Sequence, residues 1–457
     1  MHQEYQWPRR LDAALKEIES LDRPDIAPWL RDQRQEHWSD ATIHLRLALA
    51  SSRYIDHHGP YIGHGTFNGG PMLRASTLLD QAYRDLALLQ TTTYVVDLLQ
   101  NPNYGPYLLM HMNPVLESTP EASKRAFLQS LEAGDQVLAA EHRMIGLLHQ
   151  ISAEVPDILR YASLLQYGEN EHRLLMVHRS LQLVDDSAGW LFAEPILRAA
   201  TQYLASRPSV IVPESPQWPQ NTTGLISALD PIDAKAIYQA IDRLQNVSFG
   251  EEPAVIHDLI AQQMNPSSLY EALSLTASHI LSQTHFDAHG VTGVHCLMDL
   301  LHDTHTPETI RDGAWVSVLS GSRIRRQKAI RGEWRKLPPV SGHPVSLDTI
   351  REVLSGHSDG LEAIQVIGNY LLAGGNPRAL TQILMQYALT TAGPFDAIHN
   401  VKMLWGQLQE TQRSRLPQES WRHLAAGARV IVETATSERR EALPILDMWH
   451  QFHPIQP

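Results

Sequence analysis

The feature that most constrains the fold of this chain is the spacing of its apolar residues, which recur every three or four positions along most of the sequence. Such spacing places apolar side chains on one face of a helix, whereas a half-buried strand alternates strictly. In the N-terminal part the pattern covers residues 9–22, 39–54, 76–99, 121–150 and 154–167. Strand-like alternation is scarce, with one short extended piece expected at 210–212. The sequence therefore predicts an all-α protein.

Glycine and proline divide the helical pattern into two halves. The segment 206–223 is rich in Pro, Ser and Asn and is the predicted linker between an N-terminal helical half at 1–205 and a C-terminal one at 224–457. We expect the halves to pack together as one compact multi-helix array. The glycines and prolines of 56–72 are predicted to exclude a regular helix, and 322–347 is predicted to be an exposed basic loop. The remaining predicted helices are a pair within 169–205 and single helices at 231–244, 251–263, 267–282, 347–355, 359–373, 376–391, 396–411, 418–435 and 437–452.

The composition of the chain limits which classes of partner and which cellular compartment are expected. A net charge of −13 without a basic block argues against a nucleic-acid partner. The single cysteine, Cys296, cannot form an internal disulfide, which fits a reducing compartment. No secretory signal is predicted, and no apolar run approaches the roughly 20 residues of a membrane span. We therefore expect a cytoplasmic protein without a membrane partner.

Histidine is abundant, with 24 residues against 37 Lys plus Arg, and five of the 24 lie in the stretch Thr284–His305 (THFDAHGVTGVHCLMDLLHDTH). His295 and His302 are seven residues apart and share one face of a predicted buried helix. His289 lies just ahead of that helix. Imidazole is the commonest metal ligand among side chains. The stretch is therefore predicted to supply part of a metal centre.

A second group of histidines lies in the Gly/Pro-rich segment that follows Asp56. His57, His58 and His64 are alternatives as a metal ligand, and His58 is the better candidate because Gly59-Pro60 restricts its backbone. The alternative interpretation of this segment is a polar surface loop.

Two more histidines lie in predicted helices. His172 is surrounded by apolar residues, as is His178, and the alternative for each is a core histidine bonded to a carbonyl group. His399 and Lys402 share a helix face flanked by apolar residues. Burying an ammonium group is costly, so the alternative is that Lys402 extends to solvent. The histidines of these four separate segments are predicted to converge on a central metal site.

The motifs resemble those of the questin oxidase-like proteins, which are helical, non-haem iron-dependent oxygenases of aromatic polyketide tailoring. The resemblance covers about 45–410 and rests on His58 in its Gly/Pro loop, EHRLL at His172, HGVTGVH from His289 to His295, and HNVK from His399 to Lys402. The sequence contains no HExxH or CxxC motif, no phosphate-binding loop and no dinucleotide fingerprint.

The resemblance implies Fe(II) bound by several imidazoles and by a lysine that is carboxylated on its amine. By position, the implied metal ligands are His58, His172, His289 or His295 or both, His399 and the carboxylated Lys402, with His399 and Lys402 as the catalytic residues. The implied reaction is oxidative cleavage of a carbon–carbon ring bond in a hydroxylated, anthraquinone-type aromatic by molecular oxygen, with NADPH or another reductant as a candidate co-substrate. Glu171, Asp287 and Asp299 are candidates to fix the tautomers of the imidazoles.

Two alternative functions remain open from the sequence. A zinc-type metallohydrolase would use a similar histidine set to activate water. A non-catalytic helical scaffold would use its histidines structurally and would bind no stoichiometric metal.

Overall fold

The computed structural model describes residues 9–52, 60–101, 111–133, 136–166, 171–206, 231–248, 250–283, 289–303, 305–307, 310–311, 314, 336–356 and 359–453. Every regular element in these ranges is a helix, so the all-α prediction is confirmed. None of the described helices combines the length and the apolar character that crossing a membrane requires.

In the N-terminal part the α-helices are α1 Arg9–Glu19, α2 Ile26–Gln35, α3 Asp40–Ser52, α4 Pro60–Phe67, α5 Gly69–Ser76, α6 Gln81–Gln100, α7 Pro120–Glu132, α8 Val137–Ile151, α9 Val155–Leu165, α10 His172–Asp186 and α11 Ala193–Ser206. Short 3-10 helices occur at Arg23–Asp25, Ser152–Glu154 and Gly189–Phe192.

In the C-terminal part the α-helices are α12 Ala234–Asn246, α13 Glu252–Ala261, α14 Pro266–Gln283, α15 His289–His302, α16 Leu347–Ser355, α17 Gly360–Leu372, α18 Pro377–Thr391, α19 Pro394–Arg413 and α20 Trp421–Phe452.

The chain forms two compact units. The first contains the described residues within Met1–Gln166, His172–Val210 and Leu443–Pro457, and the second contains those within Tyr167–Glu171 and Ile211–Ala442. All but Ser206 of the predicted linker at 206–223 lies outside the described residues. The sequence prediction places 443–457 in the C-terminal half, whereas the described residues among them, 443–453, belong to the first unit. The boundary between the units therefore falls inside α20.

Helix α10 occupies the middle of the first unit. It contacts α3, α4, α5, α9 and α11, and every residue from His172 to Val184 is buried. A helix that is buried on all sides is normally apolar all round. The polar residues of α10 are therefore expensive to bury, and each one needs an explanation.

Helix α19 is the corresponding buried helix of the second unit. It packs against α15 and α18, and residues 397–408 are all buried. These two buried helices carry His172, His399 and Lys402, which are among the predicted metal ligands.

The expectation that 56–72 contains no regular helix is wrong for residues 60–72, which form α4 and the first half of α5; residues 53–59 lie outside the described part. The glycines of these helices permit close packing instead of ending the helices. A Cβ atom on Gly70 would lie 2.7 Å from the carbonyl oxygen of Arg179 in α10. One on Gly65 would overlap the side chain of Ser51 in α3. Real Cβ atoms cannot approach so closely, so only glycine allows the helices to meet there.

Helix boundaries differ from the predictions at several places. Helix α2 was not predicted, although its proline, Pro28, lies in the first turn where the missing N–H costs nothing. The helix predicted over 121–150 is two helices, α7 and α8. The two helices predicted within 418–452 are one helix of 32 residues, α20, which continues through Pro444. The extended piece expected at 210–212 and the part of the basic loop up to 335 lie outside the described residues.

Candidate metal-binding residues

The buried arginines of α10 are held by groups of the first unit. The guanidinium of Arg173 donates to the carbonyl oxygen of Tyr203 and lies 4.8 Å from the centre of the Tyr203 ring. Arg179 Nη1 donates to Gln182 Oε1 at 2.7 Å, and Gln182 Nε2 lies 3.1 Å from His178 Nε2. A buried charge needs partners of this kind to offset its desolvation. His178 is thus a core histidine with a side-chain partner.

The first unit brings His64 and His172 together. Their rings meet edge to face with 5.1 Å between the centroids, and both lie against Phe67. Both histidines are buried. Metal–imidazole bonds are about 2.1 Å long, so this separation suits two imidazoles that share one ion. His57 and His58, which the sequence offers in place of His64, lie outside the described residues.

In the second unit, His399 and Lys402 lie one turn apart on α19. The Nδ1–H of His399 donates to the carbonyl oxygen of Phe395 at 2.6 Å. A carbonyl oxygen can only accept, so in the neutral ring Nε2 carries the lone pair, which is the form that binds a metal. Lys402 is 4 % exposed. The alternative in which Lys402 extends to solvent is therefore wrong.

His295 is buried on α15 beside α19. Its Nε2 contacts Gln409 Oε1 and lies 3.6 Å from Asp299 Oδ1, and its ring meets Trp405 edge to face at 5.0 Å. The ring passes so close to Gly406 that a Cβ there would lie 3.2 Å from Nδ1 of His295. In this arrangement Nε2 donates to an amide oxygen, and Gly406 makes room for the ring.

The neighbours of His295 in the central stretch are only partly described. The side chain of His289, together with His285 and Asp287, lies outside the described residues. His302, at the end of α15, donates from Nδ1 to the carbonyl oxygen of Met298 at 3.1 Å and lies edge-on to Tyr270 at 5.9 Å. The choice between His289 and His295 as a ligand therefore stays open.

The second unit also contains a buried polar network that sequence reasoning missed. Glu410 Oε2 accepts hydrogen bonds from Tyr270 Oη at 2.6 Å and Ser274 Oγ at 2.9 Å. Arg413 lies 3.6 Å from Glu410 and donates to Asp299 at 3.1 Å. Burial raises the pKa of Glu410, although Arg413 and the two hydroxyl groups oppose this shift.

Part of the signal for this network is present in the sequence. Tyr270 and Ser274 are four residues apart on one helix, and Glu410 and Arg413 are three apart on another, so each pair shares a helix face. Nothing in the sequence indicates that these two faces meet. Of the members, only Asp299 had been singled out, and its oxygen is too far from His295 Nε2 for a direct hydrogen bond.

The donor chemistry of the predicted set fits iron, because imidazole nitrogen and an anionic carbamate oxygen both bind Fe(II). Within the described ranges, no three His, Cys, Asp or Glu side chains form a group that could hold a metal ion. This finding leaves out the side chains of His58 and His289, which lie outside those ranges, and a lysine ligand such as Lys402. The predicted convergence of histidines on one ion therefore stays a prediction.

Comparison with family models, with curated proteins and with solved structures gave no match to this chain.

Proposed function

We propose that this protein is a non-haem iron-dependent oxygenase that cleaves a ring carbon–carbon bond of a hydroxylated, anthraquinone-type aromatic polyketide with molecular oxygen. The proposed ligands of Fe(II) are His58, His172, His289 or His295, His399 and a carboxylated Lys402. The observation that carries the proposal is the pair formed by His399 and Lys402, which are both 4 % exposed and lie one turn apart on α19.

The burial of Lys402 favours the carboxylated form. A buried ammonium group loses several kcal/mol of hydration, and carboxylation removes the positive charge that causes this cost. The lysine amine, in its neutral form, attacks carbon dioxide, forming a nitrogen–carbon bond and releasing one proton. The resulting carbamate is an anionic oxygen donor, which suits a hard metal ion surrounded by neutral imidazoles.

His399 supports the proposal through its tautomer. Because the Phe395 carbonyl accepts from Nδ1–H, it fixes the ring orientation and raises the basicity of Nε2. Metal-binding histidines typically make such a bond to a carbonyl or carboxylate group. Bound Fe(II) would supply the activation of molecular oxygen. The protein would hold the ring of His399, present the carbamate and exclude bulk water.

The test is metal analysis of the purified protein together with the variants His399→Ala and Lys402→Ala. We expect the unchanged protein to contain iron and to consume oxygen with a hydroxylated anthraquinone, measured with and without NADPH, and both variants to lose iron. The matched controls are His44→Ala, another buried histidine, and Lys235→Ala, an exposed lysine. Both controls should retain iron.

A second readout tests the carbamate without reference to activity. Protein exchanged with ¹³C-bicarbonate should give a carbamate carbon signal that is absent from Lys402→Ala and present in Lys235→Ala. Iron retained in Lys402→Ala would remove the lysine from the ligand set. Stoichiometric zinc with hydrolytic activity would instead favour the metallohydrolase, and protein without any metal would favour a scaffold.

A further inference from the structure

The first unit contains a cavity of about 620 Å³ that shares no residue with the proposed metal site. Residues of α1, α2, α3 and the connection between α2 and α3 line it, together with Phe192 of the 3-10 helix Gly189–Phe192. Its apolar wall consists of Ala13, Ala14, Trp38, Leu45, Leu49 and Phe192. This volume and a mainly apolar wall with a few polar groups are typical of small-molecule sites.

Arg46 lies in the wall but is already engaged. Its guanidinium lies 3.9 Å from the centre of the Trp38 ring. It donates to Gln33 Oε1 at 2.5 Å, to Glu17 Oε2 at 3.2 Å and to the carbonyl oxygen of Ala14 at 3.3 Å. These contacts fix the plane of Trp38 against Arg46, and they use the positive charge that an anionic ligand would need.

The other charged groups of the described lining are carboxylates. Glu17 binds Arg46 through Oε2 only, and its side chain is 49 % exposed. Glu36 is exposed as well. Two carboxylates against one guanidinium leave the described lining with an excess of negative charge and of hydrogen-bond acceptors. A bound molecule should therefore carry a hydrogen-bond donor and no negative charge.

We propose that this cavity binds an uncharged molecule with a flat apolar body and a hydroxyl group. The apolar body fills the space between Leu45, Leu49 and Phe192. The hydroxyl group donates to the carboxylate of Glu17 or Glu36 at the more exposed side of the cavity. The site is independent of the proposed iron chemistry, since none of its lining residues belongs to the predicted ligand set.

The test uses two probes of the same shape, 2-naphthalenemethanol and 2-naphthoate, in calorimetric titrations of the metal-free full chain. We expect saturable binding of the alcohol and binding of the carboxylate that is weaker by about fivefold, the size of one partly exposed charge interaction. Glu36→Gln should reduce the difference between the affinities of the alcohol and the carboxylate. Equal affinities in the unchanged protein would overturn the charge assignment, and no saturable binding of either probe would overturn the site.

Location is tested with a cavity-filling variant. Ala13→Trp adds a large side chain to the lining from an exposed position, and it should abolish binding of the alcohol. Ala153→Trp, an exposed alanine outside the lining, should leave binding unchanged. Hydrogen exchange gives a second measurement that does not depend on any variant. The alcohol should slow exchange in α1 and α3, and protection confined to other helices would contradict the proposal.

Discussion

Gly70 lies where the backbone of α5 meets that of α10. A Cβ atom there would lie 2.7 Å from the carbonyl oxygen of Arg179 and 3.1 Å from the amide nitrogen of Leu183. Because backbone atoms cannot move aside as a flexible side chain can, we expect Gly70→Ala to lower the free energy of unfolding by about 1–3 kcal/mol. Urea denaturation measures this loss.

The matched control for Gly70 is Gly63→Ala in α4. Its Cβ would meet only the side chains of Met176 and Phe67, at ordinary contact distances of 3.4 Å or more. We expect little loss of stability there, since alanine also favours the helix. Equal losses in the two variants would show that the close approach at Gly70 does not limit packing.

His423 makes stability depend on pH. Its Nδ1 lies 2.7 Å from Ser278 Oγ, and burial, with Arg422 nearby, lowers its pKa to about 3 from an ordinary 6.5. The unfolded chain then binds a proton between these values while the folded chain does not. The free energy of unfolding is therefore highest above pH 6.5, and it falls as the pH falls towards 3.

We expect the free energy of unfolding to fall by about 1.4 kcal/mol per pH unit for each such histidine. Burial also lowers the pKa values of His44 and His279 to about 4. Urea denaturation at pH 7 and pH 5 gives the change in the free energy of unfolding with pH. In His423→Leu this change should be smaller by the contribution of one histidine. Leu443→Ala, a change at an exposed position without a titratable group, should not alter this pH dependence.

Apolar neighbours in the sequence indicated buried positions for His172 and His399, and both are buried. The same neighbours left open whether Lys402 extends to solvent, and it is buried as well. The partners of Glu410 were not predicted, because Tyr270 and Ser274 lie on a helix more than a hundred residues away. The local sequence indicates which residues are buried, but it does not indicate which helix faces pack against each other.

At the scale of helices, Glu141 joins α8 to α11. It is fully buried and accepts hydrogen bonds from Arg198 Nε at 3.0 Å and Gln202 Nε2 at 2.7 Å. Removing one partner of a buried ion pair costs about 3–5 kcal/mol, because the other charge loses its nearest counter-charge. We expect Glu141→Ala to lose stability on that scale in thermal or urea unfolding.

A smaller loss is expected for the control Glu194→Ala. Glu194 is less buried, and its carboxylate lies 3.8 Å from Arg198, beyond hydrogen-bond distance. If both variants lose the same stability, the pairing of Arg198 with Glu141 has no special role in joining the two helices.

The prediction of helices succeeded where apolar spacing is regular and failed at 60–72, where glycine and proline were taken as helix breakers. The helices α10 and α11 match the two helices predicted within 169–205, except that α11 extends to Ser206. Pro28 in α2, Pro444 in α20 and the glycines of α4 and α5 all lie inside helices. A first-turn proline costs no hydrogen bond, and a buried glycine gains packing that offsets its low propensity. At these positions tertiary contacts outweigh the low helix propensity of proline and glycine.

At the scale of the whole molecule, the C-terminal segment completes the first unit. Trp449 Nε1 donates to the carbonyl oxygen of Ala82 at 2.9 Å, and its ring lies 5.3 Å from Tyr83. His453 Nε2 lies 2.9 Å from Asp85 Oδ2. All of these contacts hold the first turns of α6.

We therefore expect removal of residues 443–457 to loosen the first unit selectively. Hydrogen–deuterium exchange should become faster in α6, because its N-terminal turns lose their cover, while α19 in the second unit stays protected. Trp449→Ala should give a weaker form of the same pattern, and Leu443→Ala, an exposed position on α20, should give none. Uniform acceleration in both units would contradict this assignment.

The all-α class follows from apolar spacing, but the return of 443–453 to the first unit does not. The sequence of α20 reads as an ordinary amphipathic helix on both sides of Ala442, so nothing local marks the change of unit. The partners of Trp449 lie 367 residues away along the chain. Contacts of that range depend on the whole fold.

The same long separation has a consequence for biosynthesis. A ribosome adds about 5–20 residues per second, so about 20–70 seconds pass between translation of Ala82 and translation of Trp449. During that interval the nascent first unit lacks its final cover, and the apolar groups around Tyr83 are open to chaperones. The first unit therefore cannot complete its folding until the C-terminal segment that contains Trp449 has been translated.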